Sequence, residues 1–141
     1  MADLTLGQAQ KIVNEAIVFA RARNLKPMAF VVLDARGALR AAASEDGTSL
    51  ARWKVAQGKA NGALALGVSS RRLGAMAVER PHFIASMGSI LDSIVPVAGG
   101  VLIRDASGAL IGAAGASGDT SDNDEAALVA ALKAADLTAE T

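Results

Sequence analysis

Two six-residue segments, Asp34-Ala-Arg-Gly-Ala-Leu39 and Asp105-Ala-Ser-Gly-Ala-Leu110, are identical at five of six positions. Each follows a short apolar run, Met28–Leu33 or Val101–Arg104, and each leads into small residues. Aspartate and glycine are both residues of tight turns. A glycine near the segment's end takes conformations that other residues avoid. Both segments therefore read as tight reversals between strands, pairing Met28–Leu33 with Ala38–Ser44 and Val101–Arg104 with Ala109–Gly115. Two equivalent hairpins imply one antiparallel sheet of about five strands. The short match points to shared turn geometry more than to duplication of a unit.

The remaining segments supply helices. Thr5 with Gln8 three residues on is a capping box. Ile12, Val13, Ala16, Ile17 and Ala20 then recur at helical spacing, which predicts a first helix over residues 5–23. A second runs from Thr48 to Gly67, with Trp53, Ala56, Ala60, Ala63 and Leu64 on its inner side. Gly58 and Gly62 share one face of it, and each costs about 1 kcal/mol relative to alanine. Close approach of another backbone is the expected recompense, through helix packed on sheet or, alternatively, a flat ligand. Ser69 or Ser70 caps a short helix through Val78, Ile84–Ile94 has no clear period, and Pro96 to Gly100 is a loop or an edge strand. A last helix over 121–135 buries Leu128, Val129 and Leu132, and residues 138–141 form a polar tail. Helices before, between and after the hairpins give an α/β (α+β) arrangement, a central antiparallel sheet flanked by helices, as a single domain over 1–141.

Apolar residues make up 52% of the chain but aromatics only 3%, so alanine, leucine, valine and isoleucine must fill the core. Fourteen basic side chains balance fourteen acidic ones. That balance argues against nucleic acid, whose phosphates call for a basic excess. It also does little to keep identical chains apart, so a homodimer or larger homo-oligomer is expected. With no cysteine, disulfides and thiolate chemistry are excluded. The N-terminus lacks the pattern of a secretion signal and no apolar run is long enough to span a bilayer. The expected setting is cytoplasmic, with no membrane partner.

The most site-like stretch is Gly112–Glu125, where a glycine-rich strand exit meets the start of a helix. Its glycines invite a phosphate-cradle reading. Asp119, Asp122, Asp124 and Glu125 occupy the place a phosphate would need, and the strand sits in a hairpin rather than a βαβ unit. The acids do not match an EF-hand loop, so no metal is expected. They read first as helix caps and dipole partners, with Ser121 or Asp122 as the cap. Ligand contact through Gly115, Ser117 and Asp124 is the alternative. His82 is the single histidine. It reads as a residue of a surface turn, although it could ligate a haem iron or act as a lone base. Arg52 and Lys59 belong to a basic stretch of the second helix that is either a solvated face or a holder of ligand carboxylates.

Taken together, LTLGQAQKIVNEAIVFARARNLKPMAFVVLDARGAL, GKANGAL and PVAGGVLIRDASGALIGAAGASGDTSDNDEAAL resemble the GlcG/HbpS-like family, related to the C-terminal domains of PduO-type proteins. The resemblance covers nearly the whole chain and is carried by Gly99-Gly100, the Asp-x-x-Gly turn, Gly112–Gly118 and Asp124-Glu125. It departs at Leu102, where the family commonly has a proline soon after the double glycine, and over Ser69–Ile94. The resemblance implies a small α/β domain that assembles into homo-oligomers, some members binding haem. Two functional expectations follow. In the first, haem or a related tetrapyrrole is held through Arg52, Lys59 and His82, with Gly115, Ser117 and Asp124 as further ligand contacts. In the second, the chain is an enzyme or accessory subunit in hydroxy-acid catabolism. Asp124 or Glu125 is then the acid or base, and a carboxylate at a helix start is expected to have a lowered pKa unless burial counteracts it.

Overall fold

The computed structural model describes residues 3–141. The two matching segments form the same turn. Asp34 donates its N–H to the Ala38 carbonyl at 2.9 Å, and Asp105 donates to Ala109 at 3.0 Å. In each, one carboxylate oxygen accepts two backbone N–H groups, from Arg36 and Ala38 or from Ser107 and Ala109. Gly37 and Gly108 both have φ +86°, which explains why glycine stands at the fourth position of each. The turns join β1 (Ala29–Asp34) to β2 (Leu39–Ser44) and β3 (Gly100–Arg104) to β4 (Leu110–Ser117). Each hairpin carries its register shift beside the turn.

The hairpins associate through β1 and β4, which run antiparallel with Val31 opposite Gly115. Thr138–Glu140, expected as a polar tail, is instead the fifth strand, β5, and the sheet order is β2-β1-β4-β3-β5. Leu137 is nearly buried ahead of β5, and Glu140 accepts from Arg104 Nε at 2.7 Å. Three residues are too few to show strand periodicity in sequence.

Both faces of the sheet are covered. Phe30, Val32, Val101, Ile103 and Ala114 pack against α1 (Leu6–Ala22) and α5 (Ser121–Ala134). Val31, Leu33, Leu102 and Ala113 pack against Ala56, Ala60 and Ala63 of α2 (Arg52–Leu66). The weakly patterned segment resolves into α3 (Ser70–Glu79) and α4 (Pro81–Ile90). Ser69 caps α3, and Pro81 starts α4 where a missing N–H does no harm. α3 lies beside α2, and α4 rests on α3. Among the described residues no helix is long and apolar enough to cross a membrane.

Three local expectations change. Trp53 is 43% exposed. Arg52, its neighbour, already reaches Ser117, the last residue of β4, so this turn of α2 runs past the sheet. Val129 is 41% exposed because Asp124, Ala127, Leu128, Ala131 and Leu132 define the buried stripe of α5. Gly58 and Gly62 face the loop before β3, not the sheet. A Cβ at Gly58 would lie 2.6 Å from Val95 Cγ2, and one at Gly62 2.8 Å from Ile94 Cγ1. The helix–sheet approach is made possible from the other side, by strand glycines. A Cβ at Gly115 would overlap the Ala56 carbonyl oxygen, and one at Gly100 the Lys59 carbonyl oxygen.

Gly115→Ala is therefore expected to destabilise the fold by about 3 kcal/mol, towards the severe end of overpacking because helix backbone must move. Gly88→Ala, in α4 with open space around it, is expected to be neutral or stabilising by up to about 1 kcal/mol. Urea unfolding of the two variants checks the contrast.

Candidate functional site

Five of the residues singled out in the sequence meet at the end of β4. Lys59 projects from α2, where its neighbours Ala56, Ala60 and Ala63 lie too close to the sheet to leave a route to water. Its Nζ donates to the Ala116 carbonyl at 2.9 Å and to Asp124 Oδ2 at 3.1 Å. Both side chains of this ion pair are 2% exposed. The other Asp124 oxygen accepts the Asp119 N–H at 2.9 Å. Gly115 sits under α2, and Ser117 Oγ accepts from Arg52 Nη1 at 3.2 Å.

The preceding loop is bound equally tightly. Thr120, rather than Ser121 or Asp122, caps α5 by accepting the Asn123 N–H. Asp119 accepts from the Asn123 side chain, from Lys26 N–H and from Thr120 N–H, which together hold its carboxyl down at about 2. Asp122 and Glu125 both pair with Arg71 of α3. Among the described residues no three potential metal-ligating side chains converge.

Burial pushes the Lys59 ammonium below its ordinary pKa, against the opposing pull of Asp124. Burial likewise pushes Asp124 up, although the Asp119 N–H and Lys59 act to lower it. The lowered carboxylate expected at a helix start is therefore reversed, because desolvation outweighs the local donors. Asp124 is 1% exposed with both oxygens engaged. It is a clamp joining α2, β4 and α5.

His82 stands apart from this cluster. It lies in the first turn of α4, exposed, beside a Phe83 ring that the Arg80 guanidinium covers at 4.4 Å.

On the opposite face of the sheet, a cavity of about 450 Å³ lies between α1 and β2. Val13 and Ile17 of α1 form one apolar wall, and the small side chains of Ala41 and Ala43 form the other. Gln10, Asn14 and Arg40 add polar groups to the lining. Arg40 donates to the Leu4 carbonyl at 2.9 Å and stands 3.6 Å from Asp34 Oδ2. Asp34 is fully buried. Burial alone would raise its pKa, but the Ala38 and Arg36 N–H groups and the Arg36 guanidinium hold it below the usual range. Two guanidinium groups thus share one carboxylate, which leaves excess positive charge at the cavity wall. Sequence reasoning missed Arg40 and this cavity; the only signal was an arginine followed by three alanines in a strand.

Lys59→Met leaves Asp124 buried without its cation, and a loss of about 3–5 kcal/mol near neutral pH is expected. Without Lys59 the folded state retains the Asp124 proton to higher pH than the unfolded chain, whose value is 3.8. Stability of the variant should therefore fall as pH rises through that window, and the deficit should shrink near pH 4. Urea titrations at pH 4 and 7 test this; a deficit independent of pH would show that Asp124 is not the group left stranded.

Residues 4–133 match the family described as haem degrading protein HbpS-like. No curated protein matches the sequence. Among solved structures, the complex of PduOC with haem superposes with a TM-score of 0.87 at 20% identity, covering 99% of this chain and 100% of that one. HbpS gives 0.82 at 23% identity over 95% and 91% of the two chains. ORFY of Klebsiella pneumoniae gives 0.83 at 21% identity over 96% and 92%. At such identities the structures establish a common fold, and the sequence match establishes descent: the chain belongs to the HbpS-like family.

Proposed function

We propose that this protein binds haem or a related tetrapyrrole within a homo-oligomer, and that the ligand is seated between α1 and β2. The observation that carries this reading is the cavity itself. Its volume of about 450 Å³ lies in the range of small-molecule sites. Val13, Ile17, Ala41 and Ala43 offer apolar contact to a macrocycle, and among the polar groups beside them Arg40 suits a propionate. A guanidinium has five N–H donors, and Leu4 takes one of those on Arg40. The family match and the haem complex of a structural relative support the choice of ligand class.

The cations first expected to hold propionates are less available. Lys59 is committed to Asp124, and Arg52 reaches Ser117. The acid or base candidates for hydroxy-acid chemistry, Asp124 and Glu125, are engaged by Lys59 and Arg71, so binding has more support than catalysis. Bound haem would bring an iron centre capable of redox chemistry; the chain's own part is to enclose the ring and neutralise a carboxylate. Self-association is supported by large apolar side chains left in water: Leu50 at 89% exposure with Trp53 three residues on, and Leu39 at 63% at the other end of the same face.

Titration of the purified protein with hemin is expected to give a saturable Soret shift, weakened about tenfold in Arg40→Ala through loss of a charge-assisted contact. Absence of saturable binding overturns the reading. Light scattering should give a mass above 14.2 kDa, and a monomer would remove the oligomer from the proposal.

A further inference from the structure

The cavity between α1 and β2 suits the ring and carboxylate of a tetrapyrrole but not its metal. Haem iron is held in proteins by imidazole, thiolate, thioether or phenolate groups. The lining offers two amides, one guanidinium and otherwise aliphatic side chains. The chain has no cysteine and no tyrosine. His82 lies on α4, which rests on α3 beside α2, whereas the cavity borders α1 across the sheet. Met28 is enclosed in the core and Met87 is buried on α4. Among the described residues, then, no side chain of the iron-ligating kinds lines the cavity.

Resting on the proposed tetrapyrrole site, we infer that the site recognises the organic macrocycle and its carboxylate and is indifferent to iron. Metal-free porphyrin is then as good a ligand as hemin. Affinity comes from ring burial against Val13, Ile17, Ala41 and Ala43 and from the Arg40 guanidinium. Asp34 strengthens that group's orientation without cancelling its charge, because Arg36 shares the same carboxylate.

The experiment titrates the full chain with hemin, with metal-free protoporphyrin IX, and with protoporphyrin dimethyl ester, following absorbance throughout and quenching of fluorescence where Trp53 is the single tryptophan. Hemin and protoporphyrin are expected to bind within about threefold of each other. The ester should lose about tenfold, and Arg40→Ala the same factor for both free acids. His82→Ala should change neither. Because Arg40 also holds the Leu4 carbonyl, a second variant, Asn14→Trp, fills the mouth from an exposed helix position and should abolish binding of both acids while leaving the melting curve in place. Hemin binding more than tenfold tighter than protoporphyrin, with the excess lost in His82→Ala, overturns the inference and leaves the tetrapyrrole reading standing. Failure of both ligands to bind overturns both.

Discussion

The closeness of α2 to the sheet is the constraint from which most of this structure follows. Gly100 and Gly115 remove the two Cβ atoms that would strike the helix backbone, and Ala56, Ala60 and Ala63 keep the helix side equally thin. Such contact excludes water from whatever lies between. A lysine at position 59 then has no solvated rotamer, and its charge must be answered inside. The Ala116 carbonyl and Asp124 do so. Burial pushes the Asp124 carboxyl up in turn, and the Asp119 N–H and Lys59 act against that push. A buried pair of this kind adds little net stability compared with an apolar substitute, but removing one partner is severe. Its effect is to specify one docking position of α5 against α2 and β4.

The other face obeys a different balance. β2 follows its turn with Arg40 and three alanines, and α1 crosses it with Val13 and Ile17. Small side chains opposite a helix that is not drawn in by strand glycines leave space between the elements, so here a cavity forms where the α2 face closes. One sheet therefore carries a charge-locked layer under α2 and, on a face otherwise closed by α1 and α5, an open pocket at the β2 edge. The polar groups prominent in the sequence mostly belong to the charge-locked layer, where they are structural.

That division explains what was legible from residues alone. The hairpin turns, the capping box at Thr5 and the helix end at Gly67 rest on chemistry within four or five residues, and each appears as read, whereas the surface turn expected around His82 is instead the first turn of α4. Glycines gave the right conclusion for the wrong partner: Gly58 and Gly62 do mark a close approach, but of a loop some 32 residues on, as the Asn61–Ser93 contact shows. Lys59 looked like a surface cation because lysines rarely lie buried. Its ion pair spans 65 residues, and no local period encodes that. Arg40 escaped notice because its importance depends on an empty volume, which exists only after α1 has packed.

In the proposed homo-oligomer, the position of the cavity would tie ligand binding to assembly. β2 is an edge strand, paired on one side with β1 and leaving its other backbone edge free. Gln10, Asn14 and Ala42, exposed residues of the cavity lining, lie along that same border. A second copy that docks on this edge must either cap the cavity or close it, and the two outcomes have opposite signs. In the first, ligand binding strengthens association; in the second, each weakens the other by the same factor. On the α2 side, Leu39 stands exposed opposite Leu33 at the hairpin-turn end of β2, away from the α1 side of the sheet. A copy docked on the α2 side would keep the cavity open, and the proposed ligand would then add to the stability of each protomer without competing with its neighbour.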